Sequence, residues 1–540
     1  MKWEVLIKSK GKNIIDALLE NRGIKTQKEK REFFNSTRPE KLSLKKLKIS
    51  EVEVKKAIKR IKTAIKTKEK VIVYGDYDAD GICGTAILWE CLYSLGLNVL
   101  PYIPERFSEG YGLNIESIRK LKKEDSKLDL IITVDHGIVA DKKVDVANEL
   151  GIDVIITDHH QKGKPVPNVF SLIHTTEISG SAIAWILSRE LGNLGGLELA
   201  AIGTISDQLP LIGLNRSFAK YGLEALNKTK RPGLLALFEE AGIKSGEIGP
   251  YEVGFIIAPR INAMGRLTHA IDSLRLLCTK DRKRARDLAD LVGKTNLERQ
   301  KIVETVVAHV LRQTRDKPFN SEVIVVAHES YHEGVIGLAA AKLVEQFYRP
   351  AIVFSKKGDI SKASARSISG FNIIEAIRKL EGLYLEGGGH PMAAGFSIET
   401  AKIEEFSKQI NKIAEPLLTE EILSKKLKID LEIDFNQINN GLCNKIKTFE
   451  PTGLGNFPPA FITKNVEVVE ARTVGRDNTH LKLKLKKENI VFDAIGFGLA
   501  SVYTLVSGAL IDIVYSIEEN VWNNQTSLQL KIKDMRLSEI

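Results

Sequence analysis

The chain has 540 residues, 43% hydrophobic and 27% charged, with only 16 prolines; this composition excludes wholesale disorder and fibrous repeats, and at roughly 150 residues per domain it implies three or four domains. The 79 Lys/Arg and 69 Asp/Glu give a formal charge of +10, unevenly spread: residues 1–70 hold 22 basic against 9 acidic residues, so the remainder sums to about −3. Four cysteines without a C-x-x-C pair exclude a disulfide framework and a thiolate zinc site, no run approaches the ~18 apolar residues of a membrane span, and Met1-Lys2-Trp3-Glu4 opens no signal-peptide core, so a cytoplasmic protein without a membrane partner is expected.

Residues 1–70 read as a basic helical segment, with Ile58, Ile61 and Ile65 at helical spacing among Lys56, Lys59, Arg60, Lys62 and Lys66. Such a segment either binds a polyanion, displacing its counterions, or is a solvated helix face. Short buried strands follow: Val71–Tyr74 runs into Asp76, Asp78 and Asp80, Leu130–Val134 into Asp135, and Val154–Thr157 into Asp158, His159 and His160. Continuous apolar runs alternating with helical stretches read as parallel strands, and ligands of such sheets bind beyond the carboxyl ends, so the three acidic clusters converge on one edge. Asp207 follows an Ala-rich helical stretch and is a fourth candidate. Residues 281–316 have the pattern of a long connecting helix; a second α/β unit spans about 317–420, and alternating strands over 425–540 suit a small closed barrel of the OB type, a fold that binds single strands.

Asp78 and Asp80, one residue apart past a strand, repel each other unless a cation lies between them. With Asp135, His159 or His160, and Asp207, the inventory exceeds what one ion needs. It suggests two divalent cations about 3.5–4 Å apart, the arrangement that activates water and stabilises the leaving oxygen in phosphoester hydrolysis, and the oxygen-rich set favours Mn²⁺ or Mg²⁺. A single Asp at a strand end is as readily a helix N-cap. Arg366 between Ser364 and Ser367 suits a phosphate, Gly387–Gly389 beside His390 allows close approach to a ligand, and Arg106, Arg260 and Arg266 are either phosphate contacts or structural ion pairs. Lys482, Lys484 and Lys486 share one strand face that is either solvated or nucleic-acid-binding.

Asp-Tyr-Asp-Ala-Asp-Gly at 76–81, Val-Asp-His-Gly at 134–137, Asp-His-His at 158–160 and Gly-Thr-Ile-Ser-Asp at 203–207 resemble the four ordered motifs of the DHH phosphoesterase superfamily, and Gly387–Gly395 resembles the signature of its associated second domain. Ile103–Arg106 with Gly110–Leu113, Pro259–Arg266, Ser364–Ser367 and Glu450–Asn456 are similar to the RecJ single-stranded-DNA-specific exonucleases over roughly residues 30–540. The resemblance implies metal ligation by Asp78, Asp80, Asp135, His159 and Asp207, with Asp135 as the bridge. His160 becomes a ligand or a contact to the scissile phosphate, and Asp158 and Asp76 orient the ligands from behind. Arg106, Arg260, Arg266, Ser364, Arg366, Gly388, Gly389 and His390 are implied to contact nucleic acid. Tyr74 stands where related pyrophosphatases of the superfamily carry a metal-binding His, which counts against that activity.

The implied fold is a parallel-sheet DHH domain (71–280), a connecting helix (281–316), a DHH-associated α/β domain (317–420) and an OB barrel (425–540). The implied activity is 5′ to 3′ hydrolysis of single-stranded DNA in repair and recombination by a monomer, with a single-strand-binding protein or a helicase as candidate partners. The rivals are an oligoribonuclease or cyclic-dinucleotide phosphodiesterase of the same superfamily, and a non-enzymatic replication scaffold, which would be expected to have lost its ligands.

Overall fold

The computed structural model describes residues 1–7, 13–315, 321–503, 506–522 and 525–538. Strand β1 (Lys2–Ile7) precedes five strands of one parallel sheet: β2 (Lys70–Gly75), β3 (Asn98–Tyr102), β4 (Leu128–Val134), β5 (Asp153–Asp158) and β6 (Ser171–His174), in the order β3-β2-β4-β5-β6. Helices cover both faces, so side chains alternate between two cores: Val71 and Val73 enter one, Ile72 and Tyr74 the other. That two-sided burial explains why these strands read as continuous apolar runs. The carboxyl ends of β2, β4 and β5 lie side by side, with Gly75 opposite Val134 and Val134 opposite Thr157.

A helix from Arg282 to Arg315 leads to the second sheet. At 1.5 Å per residue it is about 50 Å long. The sheet contains β7 (Ile324–His328), β8 (Ala351–Ser355), β9 (Ile360–Arg366), β10 (Glu386–His390) and β11 (Ala393–Glu399), ordered β10-β11-β9-β8-β7. Next comes β12 (Lys426–Glu432), then β13 (Phe461–Val474), β14 (His480–Lys487), β15 (Ile490–Gly496), β16 (Leu510–Trp522) and β17 (Gln525–Leu537). The order β13-β14-β15-β17-β16, with β16 pairing back onto β13, closes a five-stranded barrel.

The basic first seventy residues are divided between two bodies. Strand β1 pairs in parallel with β12, and the helices Ile14–Asn21 and Gln27–Phe34 insert Leu18, Leu19 and Phe33 into the barrel core beside Phe449 and Phe461. The helix Glu51–Thr67 instead packs Val54, Ala57 and Ile61 against the first sheet and leaves Lys55, Lys59, Lys62 and Lys66 exposed. These lysines form a solvent-facing stripe of the helix. Arg216, fully buried, ties the barrel side to the first domain: its guanidinium donates to the carbonyls of Phe33, Thr448, Phe449, Glu450 and Pro451. All four cysteines are free thiols. No helix among the described residues is long and apolar enough to cross a membrane.

Candidate metal centre and its arginine wall

The turn after β2 carries three carboxylates. Asp78 is the N-cap of the helix Ala79–Ser94; its Oδ1 accepts from the backbone N–H of Asp80 and Gly81, both at 3.0 Å, which leaves Oδ2 for another partner. Capping and ligation are therefore compatible at this residue. Asp80, buried, accepts from the Gly180 and Ser181 N–H groups at 2.7 and 3.1 Å, so the N-terminus of the helix Gly180–Glu190 orients it. Asn262 accepts from Ala79 N–H at 2.7 Å and fixes the same turn from the far side.

Asp135, the residue after β4, is in the left-handed region, φ 68°. This conformation is costly for a residue with a side chain and clusters at functional sites. Gly180 is required beside it, because a Cβ there would lie 2.4 Å from Asp135 Oδ1. Gly203 is required for the same reason beside Asp80, at 2.1 Å from its Oδ1. His159 Nε2 lies 3.1 Å from Asp135 Oδ1 and 3.6 Å from Asp207 Oδ2, Asp207 being the C-cap of the Ala-rich helix Leu197–Ser206.

Single ligand atoms of three sets converge within 4.8 Å: Asp76, Asp78 and Asp135; Asp80, His159 and Asp207; and Asp135, His159 and His160. Asp76 is thus placed among the candidate ligands, with its Oδ1 and that of Asp135 buried and accepting no hydrogen bond among the described residues. Burial and then mutual repulsion push these carboxyls up: Asp78 above its usual range, Asp76 and Asp135 far above it, and Asp207 to about 8. Burial also lowers the His159 imidazole and keeps it neutral, as a metal ligand must be. Orphaned carboxylate oxygens, several acidic groups held against one another and a neutral imidazole fit two divalent cations.

Asp158 lies behind this set. Its Oδ2 accepts from Ile138 N–H at 2.9 Å, and its Oδ1 lies 2.8 Å from His160 Nδ1. Burial disfavours the charge on both, but the contact outweighs it, holding Asp158 down at about 2 and lifting His160 to about 9. His136, although part of the same motif, is structural: it is buried, 2.9 Å from the Tyr74 carbonyl through Nε2, and lowered by burial to about 4.

Across from the carboxylates stands a group of arginines. The Arg106 guanidinium lies 4.9 Å over the Tyr77 ring. Arg266, lowered to about 10 by burial and then by Arg106, donates to the Gly334 carbonyl of the second domain at 3.3 Å. Arg366 donates to Ser364 Oγ at 3.2 Å and to the Ala365 carbonyl at 2.8 Å, close to where Gly337 opens a helix, and is lowered by burial and by Arg106. Cations gathered this closely favour an anion beside them, and a guanidinium fork suits a phosphate. Arg260 differs: it is paired with Glu240 at 2.7 Å, a structural contact. Gly388, Gly389 and His390 lie on β10 at the exposed edge of the second sheet, where the register sets His390 and Arg366 on either side of Ala393. Sequence reasoning missed His332, Gly334 and Gly337, which follow β7 and meet Phe107, Arg266 and Arg366. The signal for them was a glycine pair opening a helix after a strand.

Three family models match in chain order: the DHH family N-terminal domain at residues 70–204, the DHHA1 domain at 320–415 and the RecJ OB domain at 429–534. The single-stranded-DNA-specific exonuclease RecJ of Bacillus subtilis is 39% identical over 502 residues, covering 90% of this chain and 64% of that protein, so the chain spans just under two thirds of this relative. The Thermus thermophilus relative of the same name is 32% identical over 501 residues, covering 90% of this chain and 71% of that protein. Among solved structures, RecJ from Thermus thermophilus in complex with Mn²⁺ superposes with a TM-score of 0.85 at 27% identity, covering 100% of this chain and 80% of that one. The same protein in complex with Mg²⁺ gives a TM-score of 0.79 at 26% identity, with 100% and 79% covered. With three domains matched in order and a tenth or less of its length left outside the aligned relatives, the chain belongs to the RecJ family.

Proposed function

We propose that this chain is a metal-dependent exonuclease that hydrolyses the phosphodiester bonds of single-stranded DNA from the 5′ end. The observation that carries the reading is the juxtaposition of three convergent carboxylate and imidazole sets with an arginine group contributed by both α/β domains. Asp76, Asp78 and Asp135 would hold one divalent ion and Asp80, His159 and Asp207 a second, Mn²⁺ or Mg²⁺. When bound, such ions supply activation of a water and neutralisation of charge on the phosphate.

The protein's own groups account for the rest. Arg366, with Ser364, and Arg106 hold the terminal phosphate, and Arg266 braces the two domains around it. Asp158 keeps His160 protonated through Nδ1, so its other ring nitrogen can donate to a phosphate oxygen as negative charge develops there. The closed barrel supports a strand longer than the reacting end. A helicase or single-strand-binding protein would supply such strands. Digestion of 5′- and 3′-labelled single strands, duplexes and dinucleotides with Mn²⁺ or Mg²⁺ is the test. Preferential shortening of 5′-ended single strands is expected; activity confined to dinucleotides would overturn the reading.

A further inference from the structure

The thirty residues from Lys41 to Lys70 hold twelve Lys/Arg against three Asp/Glu, a net of +9 in a chain whose whole formal charge is +10. Six of the twelve lie on the helix Glu51–Thr67, and its two faces treat them differently. On the inner face Arg60, buried, forms ion pairs with Glu69 at 2.7 Å and Asp153 at 2.5 Å, and the Glu53 carboxylate accepts from Leu172 N–H at 3.0 Å. On the outer face Lys55, Lys59, Lys62 and Lys66 follow one another at every third or fourth residue, all exposed, along a shallow groove of about 400 Å³. Glu51 reaches Lys55 at 4.0 Å, so all three carboxylates of the stretch are engaged. Lys59, Lys62 and Lys66 have no carboxylate partner among the described residues. Of these only Lys66 is in the last turn, where the helix dipole by itself favours a cation.

The stripe is remote from the metal centre. Arg60 also donates to the Asp129 carbonyl near the start of β4, and Asp153 begins β5, so the helix lies at the amino ends of strands whose carboxyl ends lead to Asp135 and Asp158. Across the seven residues of β4 the separation is about 20 Å.

We propose that this lysine stripe is a second nucleic-acid surface, which takes the phosphate backbone of duplex DNA outside the catalytic cleft. The occupant follows from the charge and its layout. From Lys55 to Lys66 the helix rises about 16 Å, a length over which a duplex presents about ten phosphate charges. Ammonium groups in a line, each on a flexible stem, match a row of phosphates better than one small anion, which needs donors that converge. Single strands are held by stacking on aromatic rings, and the lining of this groove, Ile58 and Thr63 among the lysines, contains none. A duplex hides its bases and asks only for charge, so it is bound in place without regard to sequence. The stripe shares no residue with the metal centre or the arginine group, and the surface binds whether or not the cleavage reading stands.

The test is binding of a labelled blunt-ended duplex in chelator, followed by anisotropy across a salt series. In Lys59→Gln/Lys62→Gln/Lys66→Gln the log–log slope should become shallower by about 0.9 per lost phosphate contact, about 2.7 in all. Between 50 and 200 mM salt that is about a fortyfold difference in how far affinity falls. The triple Lys→Arg variant should keep the wild-type slope, since it keeps the charge. All three side chains are exposed, so melting should stay within experimental scatter of wild type, and hydrolysis of a short 5′-phosphorylated single strand should be unchanged in kcat/KM. A wild-type slope in the triple Gln variant would overturn the surface. Tighter binding of polyglutamate than of duplex by the wild-type protein, lost in the triple Gln variant, would overturn the occupant and assign the stripe to an acidic polypeptide. Failure of the wild-type protein to shorten any strand with Mn²⁺ would overturn the exonuclease reading alone, because the duplex slope is measured without metal.

Discussion

Asp135 Oδ1 lies 3.1 Å from His159 Nε2, and through Asp135 the carboxylates after β2 are joined to His159 and Asp207. Asp135 belongs to two of the three convergent sets, and its carboxyl is pushed far above the usual range by burial and then by Asp80. Removing this side chain takes an oxygen from the Asp76/Asp78 ion position and the neighbour of His159 from the other, while relieving repulsion in the metal-free protein. Asp135→Ala should lower hydrolysis to a few per cent or less of wild type. Without metal its melting temperature should equal or exceed that of wild type, and Mn²⁺ should no longer raise it. For a site filled at a hundredfold excess over its Kd, the stabilisation lost is about 2.7 kcal/mol. Paired calorimetric scans with and without Mn²⁺ measure it.

His160 is lifted to about 9 by Asp158, so its proton is present at neutral pH and lost as the pH rises through about 9. The sign follows from linkage: a raised imidazole contributes its bonded charge fully below the unfolded value of about 6.5 and surrenders it above the folded one. Hydrolysis measured as kcat/KM should fall on the alkaline side near pH 9. In Asp158→Asn the fall should begin roughly two pH units lower, toward the unperturbed value. A profile that leaves the alkaline limb in place in Asp158→Asn would show that His160 is not the group titrating.

Arg366 donates to Ser364 Oγ and shares its pocket with Arg106, which lowers it. A terminal phosphate carries more charge than an internal diester, so a guanidinium fork discriminates between them. Arg366→Ala should reduce hydrolysis of 5′-phosphorylated strands more than of 5′-hydroxyl strands, shrinking the preference between them. Arg366→Lys should recover charge but only part of the preference. Equal slowing of both substrates would place the residue on internal phosphates.

Arg216 satisfies five carbonyls from two segments without a carboxylate partner among the described residues, and its guanidinium lies 4.1 Å over the Phe33 ring. Arg216→Ala strands those carbonyls in a buried place and should cost on the order of 3–5 kcal/mol of stability. Chemical unfolding monitored by tryptophan fluorescence measures the loss. The same contacts, with the pairing of β1 on β12, mean that excising residues 425–540 uncovers the helices Ile14–Asn21 and Gln27–Phe34. The truncated chain should aggregate.

Lys482, Lys484 and Lys486 stand opposite Arg472, Glu470 and Glu467 on β13, and Lys484 and Lys486 approach those glutamates at 3.9 Å. Exposed pairs of this kind contribute about 0–1 kcal/mol and largely cancel their own field. Lys484→Ala should leave the salt dependence of strand binding unchanged, whereas loss of one true phosphate contact changes the log–log slope by about 0.7. Anisotropy titrations across a salt series distinguish the two.

The parallel strands, their acidic ends and the barrel were legible in the sequence because each is written in a local period. Val71–Tyr74 and Leu130–Val134 are continuous apolar runs since both faces of that sheet are covered, and a strand's carboxyl end is where a turn can aim a carboxylate. The identity of the partners was not local. Asp76 falls among the candidate ligands because Gly81, a few residues further along, lets the turn fold tightly onto it; Arg260 pairs with Glu240 while Arg266, on the same helix, reaches the second domain. The basic first seventy residues look like one arm in sequence, yet β1 completes a sheet with β12 more than four hundred residues away and the helix Glu51–Thr67 caps another domain. The tertiary structure decided these assignments because an unpaired strand edge or a buried charge takes its partner from whatever the folded chain brings within a few ångströms, whatever its distance along the sequence.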